Sequence, residues 1–129
     1  MRWLLPISLF FSFGLTTVGA IAQNPASYTI PLDKTITATP SNLTIQYRSL
    51  VADSRCPTGA RCVWAGDAEV VLAIAGKDYS FHTTLEPQSH VFGRYRVRLT
   101  QVDPYPSLNP QPNSKPAAVT IEIDAIAPN

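Results

Sequence analysis

The chain has 129 residues, with 10 Lys and Arg against 9 Asp and Glu, 12 prolines and 2 cysteines. A formal charge of +1 supplies no field that would draw the protein to nucleic acid or to an anionic membrane surface. So much proline argues against helices and for turns, loops and edge strands.

The amino-terminal stretch MRWLLPISLFFSFGLTTVGAIAQ places Arg2 ahead of an apolar run from Trp3 to Leu15. That run falls short of the roughly 20 apolar residues a membrane-spanning helix needs. Ala20-Ile21-Ala22 is the small residue, any residue, small residue pattern after which signal peptidases cut. Residues 1–22 are therefore expected to be a cleaved secretory signal, with the mature chain starting at Gln23. No cysteine near the cut could carry a lipid, so the product is expected to be secreted or periplasmic, with no membrane span after cleavage. Losing Arg2 leaves nine basic residues against nine acidic ones, and residues 23–129 are expected to form a single small domain.

After the signal, every apolar segment runs with period two. Leu43, Ile45 and Tyr47 share one face; Val70, Leu72 and Ile74 share another, with alanines opposite. Tyr79 and Phe81 alternate with Ser80 and His82. Tyr95, Val97 and Leu99 alternate with Arg94, Arg96 and Arg98, and Val119, Ile121 and Ile123 alternate with Thr120, Glu122 and Asp124. This is the pattern of half-buried strands, and no window shows helical spacing. Ala75-Gly76-Lys77-Asp78 reads as a tight hairpin, and Pro104 to Pro116 as an irregular surface loop. About seven short strands separated by turn signals predict an all-β fold: an antiparallel, immunoglobulin-like β-sandwich, with a small β-barrel as the alternative. An antiparallel pairing of the Arg94–Val102 strand with the Ala117–Ile126 strand would set the arginines opposite Glu122 and Asp124, which predicts a charge-paired, solvated sheet face.

The segment DSRCPTGARCVWAGD, Asp53 to Asp67, holds both cysteines and Trp64. An even cysteine count in an exported chain predicts a Cys56–Cys62 disulfide. Pro57, Thr58 and Gly59 supply the turn that brings the two ends together, and the bridged loop is expected to expose Arg55 and Arg61. Five intervening residues depart from the two-residue spacing of redox pairs. A zinc site would have to recruit His82 and His90 from another part of the chain, and nothing in their spacing supports it. The two aspartates lack the close, regular acid spacing of a calcium loop, so neither metal nor cofactor is expected. Asp53 is expected to accept backbone N–H bonds or to pair with Arg55 or Arg61, and Asp67 to hold a turn. Trp64, beside small Ala65 and Gly66, either caps the end of the sandwich as core or stands as a recognition anchor; the small neighbours favour the core position. No nucleophile lies beside a recognisable base and no glycine-rich phosphate cradle occurs, so no catalytic residues are assigned and the chain does not read as an enzyme.

Asp53-Ser54-Arg55-Cys56-Pro57, followed by Cys62-Val63-Trp64-Ala65-Gly66-Asp67 and a Val-rich strand, resembles a family of small exported bacterial proteins and lipoproteins that carry DSRCP and C(V/I)WAG. Tyr95 to Pro106, YRVRLTQVDPYP, is similar to that family's aliphatic strand and Pro-Tyr-Pro exit. The resemblance covers most of the mature chain and implies a bacterial exported β-protein, without transferring any catalytic residue. Many of these look-alikes carry a lipoprotein cysteine, which this chain lacks.

Two functions follow as expectations. The first is a protein-interaction or structural module for an exported protein or cell-envelope component, with Asp53, Arg55, Arg61, Trp64 and Asp67 as its recognition loop. The second is an inhibitor of a secreted hydrolase, offering Arg55 or Arg61 from a pre-organised loop.

Overall fold

The computed structural model describes residues 12–15 and 25–126. The predicted signal segment lies outside the described residues apart from Ser12–Leu15, which form no strand. Eight strands follow in order: β1 (Ala26–Pro31), β2 (Thr35–Ala38), β3 (Leu43–Asp53), β4 (Ala68–Ile74), β5 (Lys77–His82), β6 (Ser89–Phe92), β7 (Tyr95–Asp103) and β8 (Ala118–Ala125). Among the described residues there is no helix, and so none long and apolar enough to cross a membrane.

The strands form two four-stranded antiparallel sheets, ordered β1-β8-β7-β6 and β2-β3-β4-β5. The all-β sandwich expected from the alternation is thus what forms, with eight strands instead of about seven. The order differs from the immunoglobulin arrangement. Neighbours in each sheet are consecutive in sequence everywhere except at β1 and β8, so the chain meanders without a Greek-key crossover. No ladder joins β1 to β2 or β5 to β6, which leaves two open seams and excludes the closed barrel.

The period-two residues meet in one core. Ile45, Tyr47, Val70, Leu72, Ile74 and Phe81 project from one sheet, and Ile30, Val97, Val102, Val119 and Ile121 from the other, all with at most 1% of their surface exposed. The β5–β6 seam is filled by aromatic rings: His90 stacks edge-on to Phe81 at 4.7 Å and Tyr79 meets Phe92 at 4.9 Å. His90 is fixed there by its Nε2 contact to the Ser80 carbonyl at 2.8 Å.

Local chemistry explains the connections. Ala75 and Gly76 both adopt positive φ, 51° and 82°, as the two central residues of a type I′ hairpin turn must. The β7–β8 ladder sets Arg96 opposite Asp124 and Arg98 opposite Glu122, and Arg96 Nη1 lies 3.8 Å from the Asp124 carboxylate. Of the arginine stripe, Arg96 is thus charge-paired, Arg98 stands in register with Glu122 with no ion pair among the described residues, and Arg94 precedes the strand. Strand β2 covers only Leu43–Gln46 of β3. The remainder of β3 runs past it through two register shifts and delivers the chain to Asp53 at one end of the sandwich.

Candidate functional site

The 53–67 segment continues the β3–β4 hairpin beyond its last strand pair. Ser54 N–H donates to the Asp67 carbonyl at 2.7 Å and Cys56 N–H to the Ala65 carbonyl at 2.9 Å. The Ser54 hydroxyl closes the same rung, donating to the Asp67 carbonyl at 3.0 Å and accepting from Asp67 N–H at 3.1 Å. Gly66 is required where these two strands approach: its φ is +76°, and a Cβ there would run into the Ser54 carbonyl and stand 2.7 Å from Arg55 Cα. Above this stem, Cys56 and Cys62 form the predicted disulfide, with Cα atoms 5.8 Å apart, and Ala60 N–H bonds to the Pro57 carbonyl to turn the ring. Arg61 is exposed on that ring.

Arg55 is not exposed, contrary to the expectation; only 8% of its surface meets solvent. Nε and Nη2 donate to the two oxygens of Asp53 at 2.9 and 2.8 Å, a bidentate pair. Nη1 donates to the Val102 carbonyl at 2.7 Å and Nη2 to the Pro104 carbonyl at 3.2 Å. The guanidinium thus ties the end of β3 in one sheet to the end of β7 in the other. Its hydrogen bonds hold the Asp53 carboxyl below its ordinary pKa against the opposing effect of burial, and raise that of Arg55. The reason for the inward turn is donor count. Chain ends at a sandwich rim leave carbonyls without ladder partners, and a planar fork of five donors can satisfy several at once.

Asp67 is buried too, and does more than hold a turn. One oxygen accepts the N–H groups of Thr84 and Leu85, at 2.8 and 3.0 Å; the other accepts from His82 Nδ1 at 2.7 Å. Burial pushes its carboxyl up, but the hydrogen bonds from His82, Leu85 and Thr84 outweigh it and hold the pKa below the ordinary carboxylate value. The other ring nitrogen of His82, Nε2, faces Glu69 at 4.0 Å. No set of three or more His, Cys, Asp or Glu side chains among the described residues gathers as metal ligands.

Trp64 is 49% exposed, and Val63 beside it is fully exposed. The core-cap position favoured by its small neighbours is therefore not adopted. The narrow Ala65-Gly66 pair serves the close approach to Ser54 instead of making room for an indole.

Tyr105 and its neighbours in the Pro104–Pro116 surface loop complete this end of the molecule. Tyr105, 52% exposed, lies with its ring 4.8 Å from the Arg55 guanidinium carbon and donates its hydroxyl to the Cys56 carbonyl at 2.9 Å. Thr58 pairs with the Pro106–Leu108 strip through two backbone bonds, so the disulfide ring leans on the proline-rich loop. The signal for this in the sequence was the Pro-Tyr-Pro exit of β7, an aromatic held between two residues that cannot continue a central strand. Between the loop stem, β7 and the turn after β5 lies a cleft of about 220 Å³, with Arg55 and Tyr105 in its wall.

The segment therefore brings Asp53, Arg55 and Asp67 together inward as a structural clamp and leaves Arg61, Val63 and Trp64 outward. No protein-family model, curated protein or solved structure matches this chain.

Proposed function

We propose that this is an exported, non-catalytic binding module of the bacterial DSRCP…C(V/I)WAG type, which recognises an exported protein or cell-envelope component through the outer edge of its 53–67 loop. One observation carries the reading. An indole and a fully exposed valine stand on a loop that is bridged by a disulfide, laddered to itself and clamped to both sheets. Rigid aromatic anchors give the most binding free energy per residue, and a pre-ordered loop loses little entropy on binding. The signal-like amino terminus and a disulfide suited to an oxidising compartment support export.

The test is capture of a defined partner from the cell-envelope fraction, followed by its affinity for Trp64→Ala and Arg61→Ala variants. At least a tenfold loss with an unchanged thermal midpoint is expected, equivalent to about 1.4 kcal/mol. Undiminished binding by both variants refutes this surface.

A hydrolase-inhibitor reading keeps one supporting feature, the exposed Arg61 within a disulfide-closed ring. The burial of Arg55 withdraws the other arginine from the active-site cleft of a hydrolase. Assay against a panel of trypsin-like hydrolases decides it: absence of slow, tight inhibition removes this reading.

A further inference from the structure

We propose that the cleft between the loop stem and β7 binds a neutral saccharide ring. The site is separate from the Val63–Trp64 edge and does not depend on the reading of that edge.

The floor supplies the first argument. A guanidinium carries five N–H donors. Among the described residues four are satisfied for Arg55: two by Asp53, one by Val102 and one by Pro104. The side chain is more than nine-tenths buried, yet it forms part of the cleft wall, so the one Nη1 N–H without a partner among the described residues belongs to a residue that lines that space.

The polar groups around it are mixed in kind. The Thr83 hydroxyl accepts from Ala68 N–H at 2.9 Å and keeps its own proton to donate. The Thr100 hydroxyl donates to the Thr120 carbonyl at 3.0 Å and keeps its lone pairs. Gln101 commits its amide nitrogen to Asp103 at 2.7 Å, which leaves the amide oxygen as its acceptor. The Thr84 side chain has no partner among the described residues, although its backbone N–H is bound by Asp67. Donors and acceptors interleaved in this way match a ligand whose every hydroxyl both gives and takes a hydrogen bond.

Charge and shape select among such ligands. The one charged group in the wall, Arg55, is neutralised by Asp53, so neither an anion nor a cation is favoured over a neutral molecule. Tyr105, held at its hydroxyl and with one ring face over Arg55, adds to the wall an aromatic group of the kind that packs against the C–H face of a pyranose. A volume of about 220 Å³ open to solvent accommodates one ring while the rest of a glycan extends outward.

The proposal is tested by following backbone amides by NMR while the disulfide-intact protein is titrated with glucose, N-acetylglucosamine, cellohexaose, maltohexaose and chitohexaose. Inorganic phosphate and a proline-rich peptide serve as comparison ligands. The expected result is saturable shifts at Thr84, Thr100 and Gln101 with at least one sugar and none with phosphate. Thr84→Val and Gln101→Ala should weaken that sugar about tenfold, with the thermal midpoint unchanged. The proposal is overturned if no sugar moves these amides at millimolar concentration, if only the peptide or phosphate does, or if both variants bind as the parent does. Trp64→Ala is expected to leave the sugar titration intact, which separates this site from the partner-binding edge.

Discussion

Arg55 donates through Nη1 to the carbonyl of Val102, 2.7 Å away and 47 positions along the chain, and so joins the rim of one sheet to the rim of the other. The same guanidinium is saturated on its other edge by Asp53. Removing it leaves a mostly buried carboxylate and two backbone carbonyls without donors. Arg55→Met is therefore expected to destabilise the fold by roughly 2–4 kcal/mol. Urea unfolding of Arg55→Met, Asp53→Asn and the double variant measures it. The double variant should lose less than the two singles combined, because the residues share one network.

Two carboxylates, Asp53 and Asp67, are held below their ordinary pKa by hydrogen bonds formed only in the folded state. In the unfolded chain they bind protons at higher pH than in the fold. The stability they contribute is thus fully present above about pH 4 and is lost as pH falls through their folded values. Unfolding midpoints taken at successively lower pH should drop more steeply for the parent than for Asp67→Asn, which has only one of the two groups left to protonate. Equal slopes would show that Asp67 contributes nothing to acid stability.

Gly66→Ala should be among the most damaging single-methyl changes in the molecule. The residue needs positive φ, and its Cβ would meet the backbone of Ser54 and Arg55, which cannot move aside as a flexible side chain would. A loss of roughly 2–4 kcal/mol is expected, seen as a lowered denaturation midpoint. By contrast Gly76→Ala meets no atom within 4 Å and strains only φ, so it should cost about 1 kcal/mol.

Trp64→Ala should cost under about 1 kcal/mol, against about 3–5 kcal/mol for a buried indole. Trp64 is the one tryptophan after residue 22, so intrinsic fluorescence of a chain starting at Gln23 reports it alone. Emission typical of a water-exposed indole and ready quenching by iodide are the expected outcome. A blue-shifted, protected emission would place the indole in the core.

Loss of the Cys56–Cys62 bridge should lower stability by about 2 kcal/mol, the cost of releasing a seven-residue ring in the unfolded chain. Hydrogen exchange of Cys56→Ser, Cys62→Ser protein should rise at residues 58–61 and stay unchanged in β3 and β7. Those strands are held by their own ladders and by Arg55.

Alternation alone determined the all-β class, five of the eight strands, the β4–β5 hairpin and the β7–β8 pairing, because period two is a local property that burial of one face imposes on each strand separately. The short strands β1, β2 and β6 escaped it: four to six residues with few large apolar groups carry too little pattern to stand out. The cysteine count and export-type amino terminus determined the disulfide in the same direct way. Side-chain direction in the 53–67 loop was decided only by tertiary structure. From sequence, Arg55 looks like an exposed cation and Trp64 like a buried indole, and the fold reverses both. Carbonyls of Val102 and Pro104, far along the chain and without ladder partners, offer the guanidinium more than water does, while the small residues beside Trp64 serve the close approach of Gly66 to Ser54.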